Sequence, residues 1–107
     1  MSKSIRSLMM LAAILSLAGA VCVAQSAGEA TYKARCQICH GATGAADTAP
    51  AKVIGVRPVS DPAVRRMDMA EMIDIVTNGK NKMQAFKDKL SDAEIRAAVI
   101  YFRTLIK

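Results

Sequence analysis

Tryptophan is absent from this chain of 107 residues, and two tyrosines, two phenylalanines and one histidine are all the side chains with an aromatic ring that it has. Four aromatic residues make a thin core. A domain of this size buries only about 60–65% of its unfolded surface, so one so poor in large rings needs apolar mass from another source. Cysteine is scarce as well, with three in the sequence, and Cys36 and Cys39 lie too close together to tie distant segments. The disulfide framework of many small exported domains is therefore excluded. Acidic side chains number nine against 15 basic ones, and without Lys3 and Arg6 the basic count is 13. That excess is too small and dispersed for nucleic-acid binding, which wants a dense basic face with interleaved aromatics.

The long apolar run is Leu8 to Ala24, preceded by Lys3 and Arg6 and closed by the small-x-small triplet Cys22-Val23-Ala24. This pattern predicts a secretory signal peptide over residues 1–24, cut before Gln25, and a single exported domain over residues 25–107. A periplasmic or equivalent location follows from that expectation. The run is near the short limit for a membrane span of about 20 residues. Membrane association is expected only if the leader stays uncleaved or Cys22 is lipidated, and bulky Val21 before Cys22 argues against lipidation.

Gly28, Tyr32, Cys36 and Cys39 recur at helical intervals on one face, predicting a first helix that ends near Gly41. Residues 41–58, rich in Gly, Ala, Asp and Pro, hold no sustained period and read as a long loop. The run 53–56 is strand-like but is weakened by Gly55. Ser60, capping ahead of Asp61 and Pro62, marks a short helical turn. Asp68 caps a second helix with Met69, Met72, Ile73 and Val76 as its buried stripe, and Asn78-Gly79 supplies the left-handed stop. Ser91-Asp92-Ala93-Glu94 is a capping box, followed at helical spacing by Ile95, Ala98, Val99, Phe102 and Leu105. The expected fold class is all-α, with three main helices and two long loops.

Cys36-Gln37-Ile38-Cys39-His40 is a C-x-x-C-H run, the pattern in which two thiols bond covalently to haem vinyl groups and the following imidazole coordinates iron. The spacing suits the chemistry, because cysteines three apart sit on adjacent turns of one helical face and both sulfurs reach the same porphyrin edge. A thiol redox pair would belong beside a βαβ pattern, which is missing. Structural zinc takes four ligands, and beyond the leader the chain offers only Cys36, Cys39 and His40. A disulfide between Cys36 and Cys39 would close a very short loop and stabilise little. One covalent haem c is the cofactor this run calls for, and it would supply the missing apolar mass.

His40 is the only histidine, so the second axial ligand must be something else, and methionine is the usual choice in electron-transfer haem proteins. Beyond the leader the candidates are Met67, Met69, Met72 and Met83. Met69 and Met72 fit a helical core stripe, where methionine is most often filling, and Met67 stands at that helix's entrance. Met83 sits in a polar loop between two helices, where a lone apolar residue needs a reason.

These residues resemble the small bacterial class I c-type cytochromes, the monohaem cytochrome c family, from Gly28 to Leu105. Gly28 and Tyr32 match the Gly-x-x-x-aromatic pattern ahead of the cysteines, and Ala98 and Tyr101 look like the matching contact on the last helix. The resemblance implies a cytochrome c-like fold wrapped around one haem, with the Pro50 carbonyl holding the His40 ring. It also supports Met83: relatives carry Asn-Gly and then Met-Pro-Ala-Phe, where this chain has Asn78-Gly79 and Met83-Gln84-Ala85-Phe86. Gln84 in place of proline would leave the ligand loop looser.

The expected function is that of a soluble, monomeric electron carrier with His40 and Met83 on the iron, no catalytic residues and no enzymatic activity of its own. Lys80, Lys82, Lys87 and Lys89 flank Met83 and would form a basic rim that steers acidic redox partner proteins to the haem edge. Three alternatives stay open: a ligand-binding or peroxidase-like site in which Met83 does not ligate, a non-haem metal or thiol protein, and a domain serving a larger oxidase or dehydrogenase.

Overall fold

A computed structural model describes residues 27–107, so the expected leader, residues 1–24 with Cys22, lies outside the described residues. Helix α1 covers residues 27–35, breaks at a turn on Cys36, and continues as α2, Gln37–His40. Four further helices follow: α3 (Ala49–Ile54), α4 (Pro62–Arg66), α5 (Met69–Asn78) and α6 (Asp92–Thr104). Among the described residues there is no strand, only an isolated antiparallel bridge between Lys80 and Met83. The all-α expectation holds.

The helix boundaries follow local chemistry. Asp68 accepts the Glu71 amide to start α5, and Gly79 ends that helix at φ 78°. At the start of α6 the full capping box forms, with Ser91 accepting the Glu94 amide and Glu94 accepting the Ser91 amide. Two expectations needed correcting. Residues 41–58 are not one long loop, because Thr48 accepts the Ala51 amide, Pro50 stands in the first turn and Gly55 closes α3 at φ 72°. Those are ordinary helix signals around a segment too short to show a period, with only Ala51 buried. The start of α4 is capped by Asp61, whose carboxylate accepts the Ala63 amide, and not by Ser60.

Packing runs along the α5–α6 pair. One cluster gathers Val64, Met72 and Val99, and a second gathers Phe86, Leu90 and Ile95, with Ile73 and Val76 of α5 touching both. Across from this pair, α1 crosses α6 at Gly28, where a Cβ would meet the Ala97 backbone and the Tyr101 Cβ. Tyr32, 1% exposed, stacks near Tyr101 at a centroid distance of 5.2 Å. The resemblance pointed to Ala98 and Tyr101 for this contact. Tyr101 stands at this crossing, the Ala97 backbone comes nearer still to Gly28, and Ala98 is buried, 4% exposed.

Candidate functional site

The C-x-x-C-H run forms a single helical turn: the His40 amide donates to the Cys36 carbonyl at 2.9 Å and the Cys39 amide to the same carbonyl at 3.2 Å. Gly41 ends it at φ 84°. Tyr32 fixes the far side of this turn, its hydroxyl donating to the Gly41 carbonyl at 2.6 Å. Burial pushes the Tyr32 hydroxyl pKa strongly upward, with the nearby Cys36 adding to the effect, so it stays a donor. Cys36 and Cys39 are free thiols, both half-buried. Burial, with Cys39 beside it, pushes the Cys36 thiol up to about 11.

Cys36, Cys39 and His40 face a cavity of about 460 Å³, within the range of small-molecule and cofactor sites. Its wall is largely apolar, built from Ile75, Val76, Phe86, Val99 and Phe102 among others. The His40 ring meets Phe102 edge-on at a centroid distance of 5.4 Å. Burial holds its pKa below the usual imidazole value, so it is neutral near pH 7 and ready to coordinate. Its Nδ1 is buried and has no hydrogen-bond partner. Pro50 does not supply one. It sits exposed in the first turn of α3, where carbonyls point along the helix toward later amides.

Met83 lines the same cavity as His40 and both cysteines. The loop expected to be loose at Gln84 is tied at four backbone points. Lys80 and Met83 exchange two hydrogen bonds of 3.1 and 2.9 Å, and the Phe86 and Lys87 amides donate to the Val76 and Thr77 carbonyls at the end of α5. Asn81, at φ 53°, takes the left-handed corner of the turn. Gly79 is required beneath it, since a Cβ there would stand 2.8 Å from the Met83 carbonyl oxygen. Gln84 itself accepts from Lys89 at 2.6 Å.

Of the other methionines, Met67 and Met72 also line the cavity and Met69 does not. The Met72 sulfur lies 3.8 Å from an Arg103 nitrogen, which also donates to the Met67 carbonyl at 2.9 Å. Lys80 and Lys82 stand at the cavity mouth, joined by Arg35 and Arg57, which sequence reasoning missed. Nothing local marks those two arginines, because their place at the rim depends on how α1 and the residues after α3 meet. Lys89 is partly engaged, lying 5.8 Å from the Phe86 ring centroid.

The donor set fits a covalently held haem: two thiols on one helical turn, a neutral imidazole beside them, a thioether on a tied loop, and apolar walls. It does not fit a zinc centre. Among the described residues no three His, Cys, Asp or Glu side chains are disposed to hold a metal ion. Among the described residues, also, no helix is long and apolar enough to cross a membrane.

Comparison with known proteins agrees with this geometry. The family described as cytochrome c oxidase, cbb3-type, subunit III matches residues 23–102. A cytochrome c6 of Leptolyngbya boryana is 33% identical over 76 residues, covering 71% of this chain and 86% of that protein. A cytochrome c6-like protein of Nostoc sp. strain PCC 7120 is 56% identical over 36 residues, 33% of this chain and 32% of the relative, so that match spans about a third of the relative's length. Among solved structures, the KustC0563 c-type cytochrome superposes with a TM-score of 0.68 at 28% identity, covering 75% of this chain and 98% of that one.

Proposed function

The chain belongs to the small c-type cytochromes, a family of haem-based electron carriers, and from that premise we propose that it is a monomeric single-haem carrier with His40 and Met83 as axial ligands, working outside the cytoplasmic membrane after loss of residues 1–24. The observation that carries this reading is the convergence of Cys36, Cys39, His40 and Met83 on one apolar cavity. Bound haem supplies a one-electron iron couple.

The chain's own residues do the rest. Cys36 and Cys39 anchor the cofactor as thioethers, which keeps it from escaping outside the cell membrane. His40 and Met83 would both hold the iron, which would leave no room for a substrate there, and the neutral thioether of Met83 would favour the ferrous state. Phe86, Val99 and Phe102 exclude water, so little has to rearrange as the charge changes. Lys80, Lys82, Arg35 and Arg57 give the mouth a positive field that suits brief encounters with acidic redox partners.

The test is expression with a haem-attachment system and absorption spectra of the oxidised and reduced protein. Colour that survives acid-acetone extraction, with a long-wavelength ferric band lost on Met83→Ala, supports the carrier. Covalent haem without that band, binding carbon monoxide rapidly, supports an open catalytic or sensor site, and colourless protein overturns the cofactor. The partner reading is checked separately: electron exchange that does not slow from low to high ionic strength would remove the steering.

A further inference from the structure

Arg103, in the last turn of α6, is bonded to two residues of the cavity wall, Met67 and Met72. Its guanidinium donates to the Met67 carbonyl, 36 residues away, at 2.9 Å, and lies 3.8 Å from the Met72 sulfur. Both methionines line the cavity that holds His40 and Met83, and so does Phe102, its neighbour in α6. Arg103 is half-buried. No carboxylate neutralises it: among the described residues the ion pair is Lys33 with Glu29 on α1. The adjacent acidic group, Asp68, is exposed and has its carboxylate on the Glu71 amide. The guanidinium is thus a fixed positive charge, oriented by a carbonyl and a thioether and screened less than the lysines at the mouth.

We propose that Arg103 is a positioning residue that sets the reduction potential of the bound haem, acting through its field on the iron without touching it. The inference rests on the single-haem reading above. Reduction takes one electron from a redox partner and lowers the charge of the ferric site by one. A fixed cation therefore stabilises the ferrous state relative to the ferric and raises the potential. Sequence alone gives no sign of this, because the contact of Arg103 with Met67 spans 36 positions.

The test is an equilibrium redox titration of haem-loaded protein with mediators, comparing wild type with Arg103→Gln, which keeps a donor for the Met67 carbonyl but removes the charge, and Arg103→Lys, which keeps the charge. At a fixed applied potential Arg103→Gln is expected to shift the ferric-to-ferrous ratio toward ferric by roughly threefold to tenfold, tenfold being about 59 mV for a one-electron couple. Arg103→Lys should stay within about twofold of wild type, and the ferric methionine band should persist in both. If Arg103→Gln does not accumulate as holoprotein, Arg103→Met fills the same space and carries the same expectation. Loss of charge without a shift, or an equal shift in the Gln and Lys variants, would overturn the inference while an intact methionine band leaves the carrier reading standing. Absence of that band in wild type would instead overturn the carrier reading itself.

Discussion

Gly28→Ala adds one methyl group at the crossing of α1 and α6, and the structure leaves no room for it. An ideal Cβ would stand 2.8 Å from the Ala97 carbonyl carbon, closer still to its oxygen, and 3.3 Å from the Tyr101 Cβ. Comfortable carbon contacts lie at about 3.5–4.0 Å, so the helices must part by about 0.7 Å or more. The obstacle is backbone and cannot rotate away. Overpacking of this kind costs roughly 1–3 kcal/mol, with a backbone clash toward the upper end. Alanine is the better helix former by up to about 1 kcal/mol, so the net expected loss is about 1–2 kcal/mol. For a domain this size that lowers Tm by roughly 5–15 °C. The assay is thermal unfolding of the holoprotein by circular dichroism. Ala30→Gly, at an exposed position of the same helix, serves as the control and should lose no more than about 1 kcal/mol, from propensity alone. A Gly28→Ala protein as stable as wild type, or more so, would refute the crossing.

Four further outcomes follow from the same geometry. Tyr32→Phe removes the hydroxyl that donates to the Gly41 carbonyl, but that carbonyl also accepts from Gly44 at 3.2 Å; the expected loss is therefore about 1 kcal/mol rather than the full penalty of an orphaned group, and denaturant unfolding showing about 3 kcal/mol or more would contradict it. Ala46 holds φ 53° while its amide donates to the His40 carbonyl at 2.9 Å; Ala46→Gly relieves that strain at some cost in unfolded-chain entropy, and a net gain of about 0.5–1 kcal/mol is expected in the same assay. Ser91→Ala should cost about 1 kcal/mol by opening the capping box. The Ser91 hydrogen bonds hold Glu94 below its ordinary 4.5, so its contribution is present above that value and disappears as pH falls through the lower folded-state value, and Glu94→Gln should converge on wild type in acid.

What was legible in the sequence was what local chemistry decides. The C-x-x-C-H turn, the Asp68 and Ser91 caps and the Gly79 stop are written within a few residues of where they act, and Met83 stood out as an apolar residue in a polar loop. The misses depended on distance or on brevity. Helix α3 carries its own cap and stop but is too short for a period to emerge, and its only buried residue is Ala51. The close approach of the Ala97 backbone to Gly28 depends on how two helices distant in sequence meet, which no local pattern records. The Pro50 carbonyl role came from resemblance alone, and His40 Nδ1 has no hydrogen-bond partner in the structure. Arg103 reaches Met67 across 36 positions, a contact that only the fold creates. The backbone pair of Lys80 with Met83 beside Gln84 is likewise a contact that the sequence does not announce.

The most direct test of the central claim is a proton–carbon NMR spectrum of the reduced holoprotein with isotope-labelled methionine methyl groups. One methyl signal, displaced far from the others by the haem ring, should vanish in Met83→Ala and persist in Met67→Leu and Met72→Leu, which conserve volume. A displaced signal that survives Met83→Ala, or that is lost with Met67 or Met72, would contradict the assignment of Met83 as the ligand opposite His40.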